Sequence, residues 1–236
     1  MDAITLIIVG LLLIVVLYIP FPFAVQRLMR RKFLATVRKS GLACLTFDDG
    51  PCPETTPQLL ALLKRNGIKA TFFLVGEKVA RYPNLVDKIV ADGHQIGEHS
   101  YSHSHPWKCS PWRSAADLIK GGQALKRYKV FQRCACFRPP YGKFNFVTLL
   151  YVWITKKRVA FWDLDPKDYQ GRSGEQVAQK ILEQLRSGAV VLLHDGRQGR
   201  NGSMVHVTVE ATQLTLEALT RNQLRFATIE QALSRK

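Results

Sequence analysis

The chain has 236 residues, 47% of them hydrophobic, with 34 Lys and Arg against 18 Asp and Glu. That size and balance fit one globular catalytic domain whose core needs no staples, and exclude a small disulfide-built scaffold. Six of the bases and one of the acids lie in the first 40 residues, so most of the +16 charge belongs to the rest of the chain. Anionic lipid, an acidic or phosphorylated substrate, or nucleic acid could each use such an excess. No nucleic-acid-binding motif occurs, and no nucleic-acid partner is expected.

Ala3 to Tyr18 is a continuous apolar run, and no charge appears between Asp2 and Arg27. Its length meets the roughly 20 residues that a membrane span requires. A cleaved leader would carry Lys or Arg ahead of the run and a small-x-small site after it, and neither is present. The expected organisation is a single-pass transmembrane anchor over 1–25, a basic linker over 26–40 and a catalytic domain over 41–236. Arg27, Arg30, Arg31, Lys32, Arg38 and Lys39 flank the anchor on its C-terminal side, which favours a cytoplasmic domain by the positive-inside rule.

Beyond the linker, strand-like and helix-like stretches alternate. Ala43 to Phe47, Ala70 to Val75, His94 to Gly97, Ala135 to Arg138, Val159 to Trp162, Ala189 to Leu193 and Arg225 to Thr228 read as strands. Thr56 to Arg65, Asn84 to Ala91, Ser114 to Tyr128, Phe146 to Thr155, Gly174 to Arg186, Val205 to Thr220 and Ile229 to Ser234 read as helices. Ala189 to Leu193 is apolar throughout, as a buried parallel strand requires. The alternation predicts an α/β fold, a distorted or incomplete (β/α) barrel resembling a TIM barrel, with chemistry at the C-terminal strand ends.

Cys44, Cys52, Cys109, Cys134 and Cys136 form an odd set without metal-type spacing, and packed, reduced thiols are expected. The adjacent carboxylates of Asp48 and Asp49, between an apolar run and Gly50-Pro51, need a cation, a donor or a shared proton to coexist. Polar clusters follow later strands in the same way: His99 to His103, Arg138 to Gly142, Asp165 to Tyr169, and His194-Asp195.

These five segments, Thr46 to Pro51, His99 to His103, Arg138 to Gly142, Asp165 to Tyr169 and Leu192 to Asp195, occur in the order of the five motifs of the polysaccharide deacetylase family. The chain resembles that family from about Gly41 to its end, and the family includes chitin deacetylases and peptidoglycan de-N-acetylases. The resemblance implies that Asp49, His99 and His103 bind a divalent metal, zinc or alternatively cobalt. One carboxylate and two imidazoles leave zinc with open positions, as a catalytic site needs. It further implies Asp48 as general base, Arg138 as its orienting partner, and the backbone N–H of Tyr141 as an oxyanion donor. His194 is then the general acid, supported by Asp168, and Pro139, Tyr169 and Leu192 are expected to contact substrate.

Two positions depart from the family pattern. Tyr169 stands where Trp is common, and Glu98 precedes His99 where Asn is common. Glu98 is open to two readings, support of a ligand histidine or a side chain that points into solvent. Trp107 and Trp112, in a loop rich in cations, could stack on sugar, lie on a bilayer or simply pack.

The expected function is metal-dependent removal of an N-acyl group, most simply acetyl, from an amino sugar of a glycan. The alternatives are a deacylase or deformylase acting on a lipid-linked amino sugar at the membrane, and an inactive glycan-binding module. The resemblance favours a domain outside the cell, against the charge argument.

Overall fold

The structure is a computed structural model that describes residues 2–133, 135–196, 204–219 and 224–235. Its frame is a parallel sheet of β1 (Cys44–Gly50), β2 (Thr71–Leu74), β3 (Gln95–Glu98), β4 (Cys136–Phe137), β5 (Arg158–Val159) and β6 (Val190–His194), in the order β5-β4-β3-β2-β1-β6. β1 and β6 pair from Cys44 with Val190 to Asp48 with His194, which sets two of the expected site residues side by side.

The sheet curls because the chain after β5 leans across to β6. Ala160 N–H donates to the Phe137 carbonyl of β4, whereas three residues on, Asp163 and Leu164 N–H donate to Val190. Leu164 and Val191 form an isolated parallel bridge there. The expected strand over Val159 to Trp162 is thus shorter, with its remainder serving as the closing segment. The expected last strand, Arg225 to Thr228, reduces to one bridge between Phe226 and Ala43. The result is the distorted (β/α) barrel that the alternation predicts.

The helices are α1 (Ala3–Tyr18), α2 (Pro20–Ser40), α3 (Thr56–Arg65), α4 (Gly76–Arg81), α5 (Pro83–Ala91), α6 (Pro111–Leu125), α7 (Lys129–Arg133), α8 (Phe146–Thr155), α9 (Gly174–Gln184), α10 (Met204–Leu219) and α11 (Ile229–Ser234). Strand alternation divides the side chains between two layers. Leu45, Phe47, Val191 and Leu193 face outward into a core shared with Leu59, Leu63, Val177 and Ile181. Cys44, Phe73, Phe137 and Val190 belong to a second cluster with Phe33, Leu34 and Val37 of α2.

Residues 26–40, expected as a linker, are therefore helical, and α2 is docked onto the barrel. Phe33, Leu34 and Val37 recur on one helical face and are buried. Arg38 pairs with Asp163 at 3.3 Å, and a left-handed Gly41 caps the helix. α1 carries exposed apolar residues along its length and, with α2, makes the one described helix long and apolar enough to cross a membrane.

Cys44, Cys52 and Cys136 are buried and Cys109 is half-buried; Cys134 lies outside the described residues, as does Thr220 at the expected end of α10.

Candidate active site

β1 ends in two carboxylates that face different ways because the chain turns between them. Asp48 still follows the strand and faces the barrel interior with Thr46. Asp49 has left-handed backbone (φ 71°), and the register of β1 against β2 shifts there. Gly196 makes this turn possible, since a Cβ on it would lie 2.2 Å from the Asp49 carbonyl oxygen. His103 (φ 55°) and Tyr141 (φ 58°) share that sparsely populated conformation. Such residues cost about 1–3 kcal/mol each and cluster where function requires a fixed geometry.

Asp49 Oδ1 lies 3.3 Å from His99 Nε2 and 3.1 Å from His103 Nε2. His99 follows β3, and its Nδ1 lies 2.7 Å from the Arg138 carbonyl, which must accept a hydrogen bond. Nδ1 therefore carries the proton, and the Nε2 lone pair points at the carboxylate. Both Asp49 oxygens are buried without a hydrogen-bond donor. Two lone-pair nitrogens and an undonated carboxylate, mutually within 4.8 Å, are a donor set suited to a divalent cation. Burial works against an ionised Asp49, but the adjacent imidazoles of His99 and His103 hold it well below the usual carboxylate range. Burial, with His99 alongside, lowers His103 to about 4, leaving it neutral and able to ligate.

Arg138, fully buried, donates from Nη1 to Asp48 Oδ1 at 2.7 Å and to the Thr46 hydroxyl at 2.8 Å. Its guanidinium lies over the Phe73 ring at 4.1 Å, which fixes it inside the barrel. Across the cavity, His194 Nδ1 is 2.8 Å from Asp168 Oδ1. The other Asp168 oxygen accepts from the His194 N–H at 2.8 Å and the Thr208 hydroxyl at 2.9 Å. Burial opposes a charge on His194, but Asp168, with Asp49 and Asp48 behind it, raises it to about 9.

These groups border a cavity of about 370 Å³ lined by Asp48, His103, Tyr141, Tyr169, Leu192 and His194, together with His105, Lys143, Trp162 and Asp165. A larger cavity of about 610 Å³ near Leu42, Gly67 and Phe226 lies at the opposite strand ends, and no acid or histidine is among its described lining residues. Tyr141 sits between His103 and His105, ring centroids 4.7 and 4.6 Å away. The Gly142 and Lys143 amides close its turn onto Pro139 and Pro140, leaving the Tyr141 amide outside those bonds. Pro139 is buried beneath this loop beside Ser100 and Phe137, away from the cavity lining. Tyr169 stands edge-on to His194 at 5.1 Å, and its hydroxyl accepts from Lys167 Nζ at 2.7 Å.

Glu98 takes neither expected role. Being one residue before His99, it faces outward from the barrel, where it is buried, ion-paired with Lys157 and bonded to the Tyr151 hydroxyl at 3.0 Å. Burial raises its carboxyl, with Lys157 opposing.

The Polysaccharide deacetylase family model matches residues 36–153. A peptidoglycan-N-acetylglucosamine deacetylase of Bacillus cereus is 32% identical over 201 residues, 83% of this chain and 89% of that protein. The chain belongs to the polysaccharide deacetylase family. A chitooligosaccharide deacetylase of Rhizobium leguminosarum bv. phaseoli is also 32% identical, over 74% of this chain and 80% of its own length. Among solved structures, the Bc1960 peptidoglycan N-acetylglucosamine deacetylase superposes with a TM-score of 0.73 at 31% identity, covering 83% of this chain and 89% of that one. A family 4 carbohydrate esterase from Streptomyces lividans, in complex with acetate, gives 0.68 at 28% identity over 83% and 96%. Membership makes the chain a carbohydrate deacetylase, a hydrolase of amide C–N bonds.

Residues outside the expected set also build the deacetylase cavity. Lys78 of α4 donates to the Asp49 carbonyl at 2.6 Å, and Thr208 of α10 holds Asp168. Neither has a local signal, because α4 is one short turn-like helix and Thr208 lies 40 residues from its partner. His105 stands two residues beyond a motif histidine and Asp165 opens the fourth motif segment, and those positions could have found them.

Proposed function

We propose that the chain hydrolyses the N-acetyl group of an N-acetylated amino sugar in a glycan, using Asp49, His99 and His103 to hold a divalent cation, zinc by its donor set. The observation that carries this reading is Asp49, whose buried, undonated carboxylate faces two imidazole lone pairs beside an arginine-held Asp48. When bound there, the cation supplies Lewis-acid polarisation of the acyl oxygen and a water of lowered pKa.

Asp48, oriented by Arg138, takes the proton of the attacking water as the new C–O bond forms. The carbonyl π electrons move to the oxygen, and the Tyr141 N–H donates to that charge. His194, protonated near neutral pH, gives its Nε2 proton to the departing nitrogen as the C–N bond breaks, while Asp168 stabilises the imidazolium until then. Acetate and the free amino sugar leave. Tyr169 and Leu192 line the cavity where the sugar packs. Pro139 shapes the loop that carries Tyr141.

The named relatives act on peptidoglycan or chitooligosaccharides, and a polymer of N-acetylglucosamine-type units is the first substrate class. A lipid-linked amino sugar is the second, because α2 reaches the cavity wall: Arg30 Nη2 donates to the Trp162 carbonyl at 2.9 Å. α1 serves as a membrane anchor in both cases. The detergent-solubilised, zinc-loaded full chain would be offered chitooligosaccharides, peptidoglycan fragments and lipid-linked N-acyl amino sugars. Acetate from the first two supports the polymer reading, acyl release from the third alone supports the second, and none from any contradicts both. The flanking bases favour a cytoplasmic domain and polymeric substrates an external one. A periplasm-active reporter fused after Lys236 stays dark in the first case and is active in the second.

A further inference from the structure

We infer that the rim of the catalytic cavity is a membrane-contact surface, seated in the headgroup layer of an anionic bilayer so that the cavity opens at the lipid interface. The inference rests on the proposal that α1 is an anchor. It concerns which surface of the barrel that anchor holds against the membrane.

The first observation is where α1 leaves the domain. Asn145 Nδ2 donates to the Tyr18 hydroxyl at 3.3 Å, and Phe23, in the first turn of α2, packs edge-on against Trp107 at 6.2 Å. Gln26, one turn further, donates to the Gly142 carbonyl. Trp107 follows β3, and Gly142 and Asn145 follow β4, so all three lie at the C-terminal strand ends. Gly142 also lines the catalytic cavity. Anchor exit and cavity mouth therefore share one wall.

The second observation is the character of the surface around that wall. Trp112 is 83% exposed, Phe21 45%, Phe146 42% and Trp107 36%. Aromatic rings exposed around the base of an apolar span match the belt that aromatic residues form at membrane interfaces. In water they would be an unpartnered apolar patch.

The third observation is charge. The segments that build this region, 3–47, 99–116 and 138–162, contain no Asp or Glu. Lys143 Nζ lies 4.6 Å from the Trp107 ring centroid, Arg27 lies over Phe23 at 5.9 Å, and Lys108 and Arg113 are exposed beside the two tryptophans. Bases interleaved with aromatics, with the neighbouring acids Asp117 and Asp165 engaged by Ser102 and Lys167, complement anionic headgroups. The amino sugar would then reach the site from the bilayer surface, whether as a lipid-borne unit or as the membrane-nearest part of a glycan.

Trp153 provides an internal control. It is 75% exposed but sits seven residues along α8 from Phe146, about 10 Å farther from the rim. The full chain, its Trp112→Phe variant and its Trp153→Phe variant would be reconstituted in phosphatidylglycerol vesicles containing acyl-brominated phosphatidylcholine, and quenching of tryptophan emission measured. Both replaced side chains are exposed and carry no core packing. The inference predicts that Trp112→Phe removes the larger share of the quenching and Trp153→Phe leaves it nearly whole. Retention of the chain in carbonate-washed vesicles with quenching unchanged in Trp112→Phe overturns the inference and leaves the anchor standing. Release of the chain by the carbonate wash overturns the anchor, and the inference with it.

Discussion

Arg138 serves two residues at once: its Nη1 donates to the Asp48 carboxylate at 2.7 Å, and its backbone carbonyl receives the His99 Nδ1 proton at 2.7 Å. One buried residue thereby orients the proposed base and fixes the tautomer of a proposed metal ligand. Arg138→Met removes the first contact and keeps the second. It leaves Asp48 as an unpaired buried carboxylate, at a cost of about 3–5 kcal/mol in stability. Chemical denaturation should register that loss, while zinc titration should find affinity nearly unchanged. A large loss of zinc affinity would mean that the guanidinium, and not the carbonyl, supports the histidine.

The metal set makes its own prediction. Loss of a residue that merely supports a ligand typically lowers metal affinity 10–100-fold, so loss of a ligand should exceed that. Asp49→Asn and His99→Ala should each weaken zinc binding by roughly two orders of magnitude or more in calorimetric titration, whereas Tyr169→Phe should not weaken it.

The pH dependence follows from the His194–Asp168 pair. Asp168 raises His194 from the ordinary 6.5 to about 9 against the opposing effect of burial. The stability this protonation contributes is fully present below about 6.5 and is lost as pH rises through about 9. NMR titration of the metal-stripped protein should find His194 near the upper value and His103 near 4. Asp168→Asn should bring His194 down by roughly one unit or more. In the activity profile, the alkaline limb should move the same way.

Glu98 and Lys157 separate stability from chemistry. Lys157→Ala leaves Glu98 buried with only the Tyr151 hydroxyl, at a cost of about 3–5 kcal/mol. Thermal unfolding should reveal it. Zinc affinity and the rate at a temperature where the fold persists should change little, because the pair lies outside the barrel wall.

The elements that position the site were legible where local sequence dictates them. Thr56–Arg65, Phe146–Thr155 and Ile229–Ser234 have the expected bounds, since apolar periodicity and turn or capping residues coincide there. The site histidines and acids were legible through motif order at strand ends. α2 was not, because the bases on either side of Phe33, Leu34 and Val37, Arg30 to Lys32 and Arg38-Lys39, mask an apolar face that only docking on the barrel reveals. Barrel closure by Leu164 was equally hidden, being decided by tertiary pairing to Val191. The orientation of Glu98 required the strand register, since a shift of one residue turns a side chain from the interior to the helices.

The central claim is that Asp48 acts as the base of a metal-dependent de-N-acetylation, and zinc-matched kinetics test it most directly. Wild-type chain and Asp48→Asn would be brought to equal zinc content, confirmed by elemental analysis, and acetate release from a chitooligosaccharide followed. General-base catalysis contributes typically 10²–10⁴-fold, so the account predicts that Asp48→Asn loses about that factor in kcat with its zinc retained. Equal rates for the two proteins would contradict it.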